Sequence, residues 1–140
     1  SLHDALPILF TAKKGCGAFL NDKKLSVSST DNVQKAFFGT YLTFSDTFLY
    51  QKVGLLKAQN ASIRGLGAGA LDIAYCAAGK LDACFYEGTL WWDIAAGSLL
   101  LKEAGGMVSN LQGSEINAKN SSFLGGNKLM HQELVSFFKN

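Results

Sequence analysis

Short apolar segments alternate with helical patterns of about three turns along most of this 140-residue chain. Small or turn-forming residues separate them, with Asn60, Gly79 and Gly105 each following a helical pattern. The pattern predicts helices over 47–59, 70–78, 93–104 and 128–139, and strands over 36–42, 62–64, 81–87, 107–110 and 121–127. This alternation predicts a layered α/β arrangement with one core, because 140 residues can hardly bury two.

Further signals in the sequence predict a hairpin near the start of the chain and the caps of the first and last helices. A hairpin-like entry runs from Leu9 to Ser28, with a turn at Asn21 and Asp22. Ser45 or Asp46 is predicted to cap the first helix, and Asn127 the last. The apolar residues expected to share the buried side of those two helices are Phe48, Leu49, Leu55 and Leu56 in the first, and Leu129, Leu134, Phe137 and Phe138 in the last.

Composition excludes several classes of protein. A formal charge of +2 without charge blocks gives no sign of a nucleic-acid partner, and no apolar run is long enough to span a membrane. Three cysteines without a CxxC spacing indicate reduced packing residues and a cytoplasmic protein. Residues 1–8 (SLHDALPI) join no pattern and resemble a translated sequencing adapter, so they are expected to be a non-native leader before a domain over 9–140.

The segment WWDIAAGSLLLKEAGG, 91–106, places Asp93 where a helix is predicted to begin. Two roles suit that carboxylate. It can cap the helix by accepting hydrogen bonds from the first backbone N–H groups, or it can bind Mg²⁺, which prefers hard oxygen ligands. Position alone leaves both open. The histidines offer no metal spacing, since His3 lies in the leader and His131 on a polar helix face.

Three ordered motifs resemble the inositol monophosphatase family: TAKKGCGAFLNDKKLSVS, RGLGAGALDIAYCAAGKLDACFYE, and WDIAAG followed by EAGG. The resemblance covers nearly all of 9–140 and implies the α/β sugar-phosphatase fold, with Asp93 as ligand to a catalytic Mg²⁺. It also implies that Gly67, Ala68, Gly69 and Glu87 bind substrate. Relatives often carry Ser or Thr at the position of Ala68, so only a backbone contact is expected there. Trp92 is expected to pack beneath Asp93 and fix it.

Residue chemistry offers simpler alternatives. Glycines at 65, 67 and 69 can admit an anion, but they can equally allow helix and strand to pack closely. Glu87 can be a solvated strand-end carboxylate, and the interval from Glu87 to Asp93 is one residue shorter than in many relatives. Asp72, within a helix, and Asp82, at a strand start, are predicted to be structural.

The resemblance also indicates what the sequence lacks. The family's remaining metal ligands come from a GEE stretch and a DPxDGT motif, and neither occurs here. The chain is therefore expected to be the C-terminal portion of a Mg²⁺-dependent phosphatase for inositol monophosphate, inactive alone and homodimeric when intact. The alternatives are a phosphatase for fructose bisphosphate, histidinol phosphate or a 3′-phosphonucleotide, or a non-catalytic dimerisation or regulatory module, since some bacterial members contact the transcription machinery.

Overall fold

Two sheets and four helices make up the protein in the computed structural model, which describes residues 7–42, 46–119 and 122–140. The elements, beside a short 3-10 turn at Val33–Lys35, are β1 (Phe10–Lys13), β2 (Gly17–Leu20), β3 (Lys23–Lys24), β4 (Phe37–Gly39), α1 (Thr47–Ala58), β5 (Ser62–Arg64), α2 (Gly69–Ala77), β6 (Ala83–Glu87), α3 (Trp91–Glu103), β7 (Met107–Ser109), β8 (Ser122–Gly126) and α4 (Lys128–Lys139). The predicted strand at 36–42 is thus shorter than expected. Ser45 and most of the predicted leader fall outside the described residues.

The larger sheet is mixed, with strand order β5-β4-β6-β8-β7. Strand β4 pairs in parallel with both β5 and β6, while β8 runs antiparallel to β6 and β7. The smaller sheet is the antiparallel meander β1-β2-β3, and it includes the predicted turn at Asn21. The three parallel strands matter most for function, because their carboxyl ends meet at one edge.

The core lies on both faces of the larger sheet. Phe38, Phe85 and Leu124 pack in one buried cluster with apolar side chains of α1 and α4. Tyr86 and Phe123 point to the other face, where a second cluster contains side chains of α2, α3 and the smaller sheet. The predicted layered α/β arrangement is confirmed.

Helix phase differs from prediction in α1 and α4. Helix α1 buries Leu49, Val53 and Leu56 at spacings of four and three, so Phe48 and Leu55 lie beside the buried stripe and are exposed. In α4 the buried stripe is Met130, Leu134 and Phe138, and the prediction that Leu129 faces inward was wrong, since this side chain is 51% exposed. Phe137 is half-buried against the core, and Asn127 caps α4 as predicted, accepting from the Met130 N–H at 2.8 Å.

Asp82 fastens the amino ends of β4 and β6. Its carboxylate accepts the Phe37 N–H at 2.7 Å and the Ser28 hydroxyl at 2.6 Å, and its own N–H donates to the Phe37 carbonyl at 2.8 Å. The Asn127 side-chain amide donates to Ser28 Oγ and to the Thr30 carbonyl, both at 2.9 Å. The predicted structural role of Asp82 is confirmed, because these bonds join four parts of the chain.

Glu103, the last residue of α3, connects the two sheets. Its carboxylate oxygens accept the backbone N–H groups of Gly15 at 2.8 Å and Gly17 at 2.9 Å, in the turn between β1 and β2. These backbone hydrogen bonds hold the pKa of Glu103 below its usual range. The far end of α3 is thereby attached to the small sheet.

The cysteines agree in part with the compositional prediction. Cys76 and Cys84 are buried packing residues, whereas Cys16 is exposed in the turn after β1. Within the described ranges, none of the helices has the length and apolar character needed to cross a bilayer.

His131 lies in the core side of α4 rather than on its polar face, so that prediction was wrong. Its Nε2 atom is 2.9 Å from Ser109 Oγ, and the Ser109 hydroxyl donates to the Asn110 carbonyl at 2.6 Å. Nε2 is therefore the donating nitrogen, and Nδ1 is buried without a partner among the described residues. Burial lowers the pKa of His131 below its ordinary value of 6.5.

Stability should therefore fall as the pH drops through 6.5, because the unfolded chain gains a proton before the folded one. His131→Leu should flatten the plot of unfolding free energy against pH between about 7 and 5.5, removing at most about 1.4 kcal/mol per pH unit. Urea titrations at several pH values measure this slope. Gln132→Leu, on the exposed side of α4, is the control, and equal slopes for His131→Leu and the unchanged protein would contradict the assignment.

Candidate functional site

The carboxyl edge of the three parallel strands gathers three loops. Strand β5 ends at Arg64, β4 at Gly39 and β6 at Glu87. Thr40 holds them together, since its N–H donates to the Arg64 carbonyl at 3.0 Å and its hydroxyl donates to the Phe85 carbonyl at 2.6 Å. Edges of this kind are where open α/β sheets bind ligands.

A cavity of about 350 Å³ opens at this edge. It is lined by Tyr41, Gly67, Ala68, Gly69, Ala70, Thr89 and Asp93. Four of the residues predicted to bind substrate or metal therefore surround one cavity, although they come from two separate motifs. Gly67 has a φ of 74°, a left-handed conformation that favours glycine, and Gly69 begins α2. The first N–H groups of α2 thus lie at the cavity wall.

Asp93 is the third residue of α3. The helix begins at Trp91, two residues before the predicted start, and the extended residue Leu90 occupies the cap position. Asp93 therefore does not cap the helix, and its own N–H donates to the Leu90 carbonyl at 3.0 Å. Its exposed carboxylate lies in the first turn, where the helix dipole favours a negative charge.

Trp91, and not Trp92, packs beneath the first turn of α3. Trp91 packs against the core cluster beneath the helix, three residues before the buried Ile94. Trp92 is 74% exposed, so the prediction that it packs beneath Asp93 was wrong. Residues three apart share a helix face, whereas adjacent residues differ by about 100°. Trp91 is therefore the residue that supports the first turn of α3.

Glu87 ends β6 at the same edge and is half-buried. Burial raises the pKa of its carboxyl group, and the charge of Asp46 adds to the rise. Glu87 is absent from the described residues that line the 350 Å³ cavity, and the loop through Gly88 separates it from Thr89. Its contact with substrate stays a prediction.

Tyr41 and Thr89 belong to the cavity but were not predicted. Burial raises the pKa of Tyr41, the charge of Asp93 adds to the rise, and a hydrogen bond with the Thr89 side chain opposes it. Both residues follow parallel strands, and this position was the only signal in the sequence that could have identified them.

Asp72 lies beneath the cavity, in α2 as predicted, and is completely buried. Its Oδ2 accepts the Tyr86 hydroxyl at 2.5 Å, while Oδ1 has no partner among the described residues. Burial raises the pKa of Asp72, and the bond from Tyr86 only partly offsets this. The charged form of Asp72 is therefore less favourable in the folded chain than in the unfolded one.

The sequence of this chain is similar to that of known proteins. The sequence model described as "Inositol monophosphatase family" matches residues 5–139. The chain belongs to the inositol monophosphatase family. It is 35% identical over 142 residues to the Inositol-1-monophosphatase of Mesorhizobium japonicum, covering 98% of this chain and 53% of that protein. It is 38% identical over 133 residues to the Nus factor SuhB of Pseudomonas aeruginosa, covering 91% and 49%.

The fold agrees with this family as well. The crystal structure of the extragenic suppressor protein suhB from Bartonella henselae superposes with a TM-score of 0.90 at 31% identity, covering 95% of this chain and 53% of that one. The predicted inositol monophosphatase-like fold is confirmed. The chain spans about half the length of the curated relatives it matches.

The oxygen donors at the cavity suit Mg²⁺ in kind but not in number. Asp93 supplies a carboxylate and Thr89 a hydroxyl, which are hard donors. Within 7–42, 46–119 and 122–140, however, no group of three or more His, Cys, Asp or Glu side chains could hold a metal ion. To act as a metal ligand, Asp93 would need further ligands that the described residues do not bring to this cavity.

The buried carboxyl group of Asp72 can be tested by substitution. A carboxyl group whose pKa is raised on folding is charged at a cost above that pKa, and the cost disappears as the pH falls. Asp72→Asn should therefore raise the unfolding free energy at about pH 7, and the gain should shrink towards about pH 3.

Tyr86→Phe is the matched variant, because it removes the hydrogen-bond donor and leaves the charge of Asp72. It should lower stability at about pH 7 by about 1–3 kcal/mol, as expected when a buried acceptor loses its partner. Chemical unfolding of both variants measures the two effects. A loss of stability in Asp72→Asn at this pH would contradict the assigned cost.

Proposed function

We propose that the intact protein hydrolyses a small phosphate monoester with the help of Mg²⁺, with inositol monophosphate as the favoured substrate. The observation that carries the proposal is the convergence of Asp93 with the Gly67–Gly69 segment on one cavity. A carboxylate for a metal beside backbone N–H groups for an anion is a suitable arrangement for binding metal and phosphate together. Membership of the inositol monophosphatase family supports the same reaction class.

Each residue then has a defined task. Asp93 is one Mg²⁺ ligand, and Mg²⁺ when bound supplies charge neutralisation of the phosphate and activation of water. The first N–H groups of α2 lie on the cavity side and can donate to phosphate oxygens, and Ala68, which lacks a hydroxyl, contributes only through its backbone. Glu87, at the end of β6, is proposed to accept hydrogen bonds from substrate hydroxyl groups.

One apolar surface of the chain is suited to being covered by further polypeptide. An apolar groove of about 580 Å³ runs between β1, α2 and α3, and its lining includes Phe10, Leu71, Ala74 and Leu100. Strand β1 pairs only with β2 among the described strands, so one of its edges is open beside this groove. We propose that the remaining half of the protein covers this groove and supplies the missing ligands, in a cytoplasmic homodimer.

Residues 1–140 alone should show no Mg²⁺-dependent release of phosphate from inositol 1-phosphate, because one carboxylate cannot hold the metal cluster. The full-length protein that carries this chain should release phosphate. A colorimetric phosphate assay with and without EDTA measures both. Turnover by residues 1–140 would contradict the division of ligands, and an inactive full-length protein would contradict the proposed reaction.

Asp93→Asn in the full-length protein should reduce kcat by about 100-fold or more, because a metal ligand is expected to matter at least as much as its supporting residues do. Circular dichroism should remain unchanged, since the Asp93 side chain is exposed and does not cap α3. Asp22→Asn, at the exposed turn between β2 and β3, is the control. Retained activity in Asp93→Asn would remove its role as a ligand.

Two alternatives can be separated by binding measurements. A phosphatase for fructose bisphosphate, histidinol phosphate or a 3′-phosphonucleotide would keep the same metal requirement and differ in its preferred ester. A non-catalytic regulatory or dimerisation module needs no such metal. The name of one relative, Nus factor SuhB, favours this alternative. Calorimetric titration with Mg²⁺ and phosphate therefore distinguishes enzyme from module.

A further inference from the structure

Tyr41 stands between two cavities at the carboxyl edge of the sheet. One is the 350 Å³ cavity that contains Asp93. The other has a volume of about 410 Å³ and is lined by Tyr41 and Gly67 together with residues such as Leu42, Val53, Lys57 and Ile63. The two cavities share only Tyr41 and Gly67 among their described lining residues. Because Gly67 has no side chain, Tyr41 is the only one of the described lining residues that can place a side chain in the shared wall.

The ring is held in place from beneath. It stacks on the buried ring of Tyr86, with centroids 4.8 Å apart and an angle of 24° between the planes. Tyr86 is itself fixed by its hydrogen bond to Asp72 at 2.5 Å. A Cβ atom placed on Gly69 would lie 3.8 Å from the Tyr41 ring, so the start of α2 also touches it. A wall supported in this way keeps its position when a ligand presses against it.

Thr89 belongs to the Asp93 side of the wall. This threonine is buried and lines the same cavity as Tyr41. The neighbouring Thr40 is anchored on both sides, to the Arg64 carbonyl at 3.0 Å and the Phe85 carbonyl at 2.6 Å. Both the backbone and the side chain of this segment are therefore restrained at the site.

We propose that Tyr41 is a specificity-determining residue, whose ring confines the alcohol part of the substrate to the Asp93 cavity and closes it off from the neighbouring one. The inference rests on the proposed phosphatase function of the intact protein. A phosphate ester of a single small ring fits against the wall, whereas a nucleoside 2′-monophosphate carries a second ring that meets it. Removing the ring joins the cavities and gives the base a place against Leu42, Val53 and Ile63.

The test compares kcat/KM for adenosine 2′-monophosphate with kcat/KM for inositol 1-phosphate in the full-length protein. Tyr41→Ala should raise this ratio by about 10-fold or more, in the range expected when a pocket wall changes size. Tyr41→Phe keeps the ring and should leave the ratio within about twofold. Tyr50→Ala is the matched control, because this tyrosine lies on the exposed side of α1 and lines neither cavity.

Tyr41→Trp keeps the measurement informative if the alanine variant unfolds. A larger ring should lower the ratio instead of raising it, while thermal unfolding stays close to that of the unchanged protein. Equal ratios in Tyr41→Ala, Tyr41→Trp and the unchanged protein would overturn the role of Tyr41 and leave the phosphatase function standing. An unchanged protein that hydrolyses neither ester would overturn the proposed function, and this inference with it.

Discussion

The hydrogen bonds of Asp82 are the constraint on which the site depends. They fasten the amino ends of β4 and β6 to each other and to the Ser28 segment, and Asn127 extends the same network to α4. Because the amino ends of these strands are held in register, their carboxyl ends are aligned as well. At the carboxyl ends, Thr40 forms hydrogen bonds to both β5 and β6. A buried carboxylate is costly unless it is well bonded, and here the bonds recover that cost while setting the register. The loops that form the cavity meet because of it.

Sequence motifs predicted the fold class, the element order and the grouping of Asp93 with Gly67, Ala68 and Gly69. The fold class and the element order were predicted correctly because glycine positions, cap residues and strand ends have local causes that are visible in the sequence, whereas the grouping was implied by the family resemblance. The helix caps show how far such local signals can be used for prediction. Asn127 caps α4 as predicted. Asp93 seemed equally suited to a cap, but Leu90 takes that position because α3 begins at Trp91.

Helix phase and cross-sheet packing were the parts that the sequence could not determine. His131 and Leu129 exchange their expected environments because the buried stripe of α4 runs through Met130, Leu134 and Phe138, and it includes His131 but not Leu129. In α3 likewise, the face that packs against the core includes Trp91 and leaves Trp92 exposed, although Trp92 was expected to be packed. Tyr41 was missed because its place at the cavity depends on Tyr86 and Thr89, which are far away in sequence and come close to it only in the folded chain.

Helix α3 carries Asp93 in its first turn and Glu103 at its last residue, where the carboxylate holds the turn of the small sheet. Its 13 residues span about 20 Å, a length over which an α-helix with packed neighbours is stiff. The small sheet and the Asp93 carboxylate thus lie at opposite ends of one helix. A tilt of the β1-β2 hairpin would therefore be transmitted along this helix to its first turn, where Asp93 lies.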